Sequence, residues 1–508
     1  MTGVQTCALP IYNIRNWLTG IEGGKFSQSL HYTDGLGVPC YNGNISSMTW
    51  KSGAGATPRG YKFSYDRLGR LTDAEYGEGP SLSVNTNRFN EQVTGYDKMG
   101  NILGLKRYGQ TSATGYDVID DLSLSYAGNR LKKVADRSTT PAFNNGFEFK
   151  DGIDLSTEYE YDENGNLTKD LNKNITAIQY NCLNLPSRVM FANGNSISYL
   201  YDAAGRKLRT VHFLEGDSVT TDYCGNVVYE NGVPQILLTE VGYVSLTDGQ
   251  YHYYLKDHQG NNRVVVDEEG TVEEVNHYYP FGGVFSSTGD AQPYKYNGKE
   301  LDRKGGLDWY DYGARMYDAA LGRFMKTDRF SEKYVSLSPY QYGANNPVNN
   351  IDVNGDSIWY TRNGDIVTMY VTAKIFNNSS DNINMKRAAK DIVSDIKSTY
   401  EGKFEWSDNK TYNLKVDMDL KVATSMKDVE NSDHLFVLAD SDSKGARGAT
   451  SMLGGKVMTL ASSDFANNNW LSNNLSYNKT FTAAHEFGHA IGLSHSQNPF
   501  NIMKQGGV

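Results

Sequence analysis

Proline is scarce in this chain, with 12 in 508 residues, and cysteine is scarcer, with 4. Cys7, Cys40, Cys182 and Cys224 match neither a zinc-ligand spacing nor a dense disulfide framework, so they leave the redox compartment open. No run of eighteen apolar residues occurs, which excludes a membrane-spanning helix of ordinary length. A basic excess is missing as well: 49 Lys and Arg stand against 59 Asp and Glu, so neither nucleic acid nor an anionic membrane is favoured as a partner. What the chain has is 51 glycines and 36 tyrosines, a mixture that predicts β-rich structure with many glycine turns. Its length exceeds what one hydrophobic core normally supports, so at least two domains are expected.

Those glycines and tyrosines recur in register. YDRLGRL begins at Tyr65, YDKMGNI at Tyr96, YDENGNL at Tyr161 and YDAAGRKL at Tyr201, with YAGNRL at Tyr126 as a shortened copy. Asp can accept turn amides, Gly four residues after Tyr can take a positive φ, and flanks such as SISYLY alternate as strands, so each unit reads as a hairpin. A lone hairpin is marginal in water, so the copies are expected to bury one another's Tyr and Leu rows.

These repeats resemble the YD repeats of bacterial RHS proteins, over about residues 12–285. The resemblance implies a β-strand shell, incomplete at its N-terminal side, around a C-terminal cargo. Within the expected segment 286–356, residues 294–356, from YKYNGKELDRKGGLDWYDYGARMYDAALGRF to NPVNNIDVNGD, are similar to the RHS-associated core, which in that family plugs the shell and often cleaves itself through aspartates of two Asp-Pro-x-Gly elements. Here Asp328 and Asp352 occupy those positions, with Arg329 and Val353 in place of proline. The alternative for both aspartates is plain turn capping. The opening TGVQTCALPI is similar to translated sequencing-adapter DNA and lacks the regions of a secretion signal, so residues 1–11 are expected to be an artefact.

After Gly355 the pattern changes to α+β. SIWYTRNGDIVTMYVTAKIF predicts two strands around an Asn-Gly turn. Met385, Ala389, Ile392 and Ile396 share one helical face, with Asn384 as cap and Gly402 as stop. Leu414, Val416, Met418, Leu420 and Val422 alternate as a half-buried strand, and HLFVLA and GGKVMTLAS supply two more.

The last helix carries chemistry. In HEFGHAIGLSH, His485 and His489 are four residues apart and share a helical face, and Gly492 lets the chain turn to return His495. Three imidazoles suit a zinc ion (Zn2+) with a fourth position open for water, and Glu486 is placed to act as general base. The full motif resembles that of metzincin endopeptidases of the matrixin type. That resemblance implies a Met-turn, supplied by Met503, and an edge strand for substrate at KVMTLASS. The chain ends five residues after Met503, where metzincins continue into a further helix.

The expected protein is therefore multidomain: a β-rich YD-repeat shell, then an α+β metzincin-like domain over residues 357–508. The expected function is that of an RHS-type polymorphic toxin, secreted or on the bacterial cell surface, whose cargo is a zinc endopeptidase. Its implied partners are a protein or peptide substrate, an immunity protein and secretion machinery. Alternatives are an adhesive surface repeat protein with a vestigial peptidase, and a zinc hydrolase acting on a non-peptide substrate.

Overall fold

The computed structural model describes residues 9–355 except 16 and 54, and residues 361–363, 366–405, 411–425, 434–440, 448–450 and 457–462. The chain forms two compact units, Met1–Ile358 and Trp359–Val508. No helix among the described residues is long and apolar enough to cross a membrane.

The first unit is built from two meanders. Ten strands run from Leu9–Tyr12 to Arg130–Asp136 and fourteen from Tyr159–Tyr161 to Val284–Thr288, each bonded to its neighbours in sequence. Connectivity stays local because each turn is encoded on the spot. Asp66 Oδ1 accepts the amides of Leu68 and Arg70 at 2.9 and 3.0 Å, its Oδ2 accepts Arg70 Nε at 2.7 Å, and Gly69 takes φ +78°. Asp97, Asp162 and Asp202 repeat the arrangement, with Gly100, Gly165 and Gly205 at φ +82°, +79° and +80°. Only glycine enters this left-handed region without strain, apart from Asn and Asp.

Three of the turns are also tied to the motif before them. The Tyr96 hydroxyl donates to the Leu71 carbonyl at 2.6 Å, Tyr126 to Ile102 at 2.7 Å and Tyr180 to Leu167 at 2.6 Å. The acceptor in each case is the apolar residue that closes the preceding motif, and all three of those side chains are buried. A tyrosine hydroxyl therefore satisfies a backbone group that burial would otherwise strand.

A third sheet of four short strands, Glu300–Asp302, Trp309–Asp311, Met316–Asp318 and Arg323–Phe324, belongs to the core segment. Its Trp309, Tyr310, Tyr317 and Phe324 join one hydrophobic cluster with residues of both meanders, from Phe26 to Val284. The same segment reads the turns. Asn346 Nδ2 donates to the Gly69 carbonyl, Asn345 Nδ2 to Gly100 and the Tyr340 hydroxyl to Gly165, each at 2.8 Å. Lys326 Nζ reaches the Asn184 carbonyl, also at 2.8 Å.

The second unit is a mixed sheet. Thr411–Val422, Ile366–Asn377, His434–Ala439 and Val457–Ala461 lie parallel in that order, flanked by antiparallel Gly402–Glu405 and Gly448–Thr450. Thr361–Asn363 pairs with the start of Ile366–Asn377. The helix Met385–Tyr400 begins where Asn384 Oδ1 accepts the Arg387 amide at 3.1 Å, and it buries Ala388, Ala389, Ile392 and Ile396 against Val371, Ile375, Val416 and Met418. A parallel pair needs such a crossover. Two expectations change. Val422 at the end of its strand is 37% exposed. Val457–Ala461 is an inner strand, because residues 448–450 fold back along it and take the edge.

Candidate functional site

His485, Glu486, His489, His495 and Met503 lie outside the described residues. Asp328 and Asp352 are described, and they meet. Their Oδ2 atoms each lie 3.0 Å from Arg315 Nη2, so the two oxygens are no farther apart than twice that distance. All three residues are buried, at 5%, 1% and 2% exposure.

Local turns aim each group. Asp328 Oδ1 accepts the Phe330 amide at 2.7 Å, and Asp352 Oδ1 accepts the Gly355 amide at 2.7 Å. The capping role thus uses one oxygen of each carboxylate and leaves the other for the guanidinium. Arg315 stacks on Phe324 with its guanidinium carbon 3.7 Å from the ring centroid, and its Nη1 donates to the Pro339 carbonyl at 3.1 Å. Its Nε donates to the Gly355 carbonyl. Gly355 has φ +74°, and a Cβ there would meet Tyr312 Cβ at 2.9 Å and the Arg315 nitrogen at 3.0 Å. Only glycine fits this approach.

The preceding backbone is held as firmly. Gln259 Nε2 donates to the Pro347 carbonyl, and the His258 ring nitrogen Nε2 lies 2.9 Å from the Val348 carbonyl. Burial pushes His258 below its ordinary range, which suits a neutral ring donating to a carbonyl. Lys299 Nζ and the Ala314 amide take the Val353 and Asn354 carbonyls. The arrangement brings two carboxylates, one guanidinium and a polarised peptide carbonyl to one place. Sequence reasoning missed Arg315. Its signal was an arginine inside an aromatic run, which buries only when carboxylates meet it.

A family model described as Matrixin matches residues 362–506. Among curated proteins, Salivary gland surface protein 1 of Aedes aegypti is 30% identical over 250 residues, covering 43% of this chain and 7% of that protein. The tRNA3(Ser)-specific nuclease WapA of Bacillus spizizenii is 24% identical over 320 residues, covering 59% of this chain and 11% of that protein. The chain spans about a tenth of the length of these relatives. Among solved structures, the TcdB2-TccC3-Cdc42 crystal structure has a TM-score of 0.47 at 16% identity, over 68% of this chain and 19% of that one. The Tc holotoxin pore of Photorhabdus luminescens has a TM-score of 0.46 at 16% identity, over 70% and 19%.

Proposed function

We propose that this chain is the C-terminal part of an RHS-type secreted toxin whose cargo is a zinc-dependent endopeptidase. The observation that carries the reading is that HEFGHAIGLSH falls inside the matrixin match at 362–506. The donor set fits zinc, since three imidazoles make up the protein ligands of a catalytic site with one open position. His485, His489 and His495 would hold the ion, and zinc when bound supplies a Lewis acid that raises the acidity of water and polarises a carbonyl. Glu486 accepts the water's proton and passes it to the leaving amine. Met503 would supply the Met-turn that the matrixin resemblance implies.

The relatives' printed names differ in activity. More than half of the stretch shared with the WapA nuclease falls outside 362–506, because it covers 59% of the chain. This supports a common repeat scaffold with its own peptidase cargo here. Within the same reading, Asp328 and Asp352 sever the chain near Gly355.

Elemental analysis of the full chain should give one zinc per molecule after reconstitution. Glu486→Gln should keep the metal and lose casein cleavage, because it removes the base and no ligand. A chain that takes up no zinc, or a Glu486→Gln variant cleaving at the wild-type rate, would sink the assignment.

A further inference from the structure

Away from Arg315, a second buried cluster joins the core segment to the second meander. Lys173 follows the strand Leu167–Asp170, and Asp318 ends the strand Met316–Asp318. Lys173 Nζ lies 3.3 Å from Asp318 Oδ2, with the side chains 15% and 1% exposed. Asp318 is fixed from both sides: Oδ1 accepts the Ala320 amide at 2.8 Å and Oδ2 accepts Trp309 Nε1 at 3.2 Å. Asp170 is 1% exposed, and its Oδ1 accepts the Lys173 amide at 3.2 Å. Its Oδ2 is buried with no hydrogen-bond partner among the described residues. Buried Trp309 and Tyr159 line the surroundings.

The ion pair with Asp318 and the turn at Lys173 leave the buried Oδ2 of Asp170 unaccounted for. Asp308 is a further carboxylate acting on Lys173. A primary amine buried beside a carboxyl, with another group to move the proton, is the constellation for amide formation. We propose that Lys173 and Asp318 form an intramolecular amide cross-link, with Asp170 carrying the proton.

The step balances without an oxidant. Lys173 Nζ passes a proton to Asp170, and its lone pair forms a bond to Asp318 Cγ. The Ala320 amide and Trp309 indole donors face the two Asp318 oxygens and stabilise the charge that develops there. The bond from Cγ to one oxygen then breaks. The two hydrogens lost from nitrogen end on that oxygen, which departs as water. Burial works against the Lys173 charge, yet the Asp318 and Asp170 carboxylates hold it above the usual lysine range, so the ion pair is the resting state before reaction. Burial pushes the Asp170 carboxyl up to about 7, which suits a group that takes and returns a proton near neutrality. The product ties the core segment to the meander covalently, and scission near Gly355 leaves that tie intact.

Mass spectrometry of the denatured full chain decides the matter. The expected mass is lower than the sequence mass by one water, and a tryptic digest should contain a branched peptide joining the Lys173 and Asp318 segments. Lys173→Arg should restore the full mass. Asp318→Asn should keep the branch with loss of ammonia instead of water, a result that simple disruption would not give. Wild-type protein at full sequence mass, with trypsin cutting after Lys173, overturns the proposal. Wild-type extent of cross-linking in Asp170→Asn overturns the role of Asp170.

Discussion

Replacing Arg107 by Met should loosen the first unit more than any change on its surface. Arg107 has no exposed area. Its Nε lies 2.7 Å from Glu91 Oε1 and its Nη1 2.8 Å from Asp120 Oδ2, while Nη2 donates to the carbonyls of Ala319 and Ala320 at 3.0 and 2.8 Å. The carboxylates reach further: Glu91 Oε2 accepts the Phe281 amide and Asp120 Oδ1 the Phe149 amide, each at 2.8 Å. Methionine would leave two buried carboxylates without a cation and two carbonyls without a donor. Removing one partner of a buried pair costs about 3–5 kcal/mol, and here one cation serves two anions, so about 3 kcal/mol is the lower bound. Arg107→Lys should recover little, because a single ammonium cannot span four acceptors. The pH dependence has a definite sign. Burial already raises Glu91, and Asp120 to about 6, so the folded state holds protons that the unfolded state releases. The associated stability is present at low pH and lost as pH rises from about 4 to about 6. Without Arg107 the carboxylates need those protons more, so the variant should come closest to wild type in acid. Since two units need not unfold together, the assay is hydrogen exchange in urea read at Glu91–Tyr96 and Ile102–Gln110. Equal protection of these strands in wild type and Arg107→Met at pH 8 would refute the reasoning.

Two further outcomes are expected from the first unit. Tyr96→Phe strands the Leu71 carbonyl and should cost about 1–3 kcal/mol, visible as faster exchange where Leu71–Glu78 meets the next repeat. An unchanged rate would mean that water replaces the hydroxyl. Asp170 is raised to about 7 by burial, so its contribution to stability is present in acid and lost as pH rises from about 4 to 7. Asp170→Asn should flatten that part of a stability profile, and a profile identical to wild type would show that the proton is not there.

What could be read from residues alone was whatever is local. The Tyr-Asp-x-x-Gly turn predicts its own φ and amide contacts, and the 3.6 period marks the helix from Met385. Degenerate turns escaped. Asn181 Oδ1 accepts Leu183 and Leu185 amides at 2.9 and 3.0 Å, with Asn184 rather than glycine at φ +56°. Asp257 does the same for Gln259 and Asn261, with Gly260 at φ +77° but Lys256 where the motif has tyrosine. Asn tolerates the left-handed region, so the physical signal was present where the glycine pattern was not. The strand at Gly448–Thr450 has three residues and no alternation to detect, so nothing in the sequence stood against the edge position that the matrixin resemblance implied for its neighbour. The buried charges were illegible for a different reason. Arg107 and Arg315 are set by partners up to 213 residues away in sequence, and no period reports such pairing. The His-Glu-x-x-His-x-x-Gly-x-x-His motif was legible because its members fall within eleven consecutive residues, 485–495.

The loss of both prolines beside Asp328 and Asp352 bears directly on scission. Proline would fix the turns by restricting φ. Here the Phe330 and Gly355 amides do that work through the Oδ1 atoms, so convergence on Arg315 survives without it. Two carboxylates acting as acid and base must share a proton, and Arg315 donates to both, offsetting the repulsion that makes sharing favourable. Scission therefore requires Arg315 to release one carboxylate. The experiment uses the full chain carrying Glu486→Gln, so that the peptidase is silent, and intact mass to find a C-terminal fragment beginning near residue 356. Asp328→Asn and Asp352→Asn retain an Oδ1 acceptor for the turn but turn an amide toward Arg315, setting donor against donor. The fragment should form in the Glu486→Gln chain and disappear in either double variant. A single uncut species throughout would show that the bracket is a structural ion pair and that the peptidase acts while tethered.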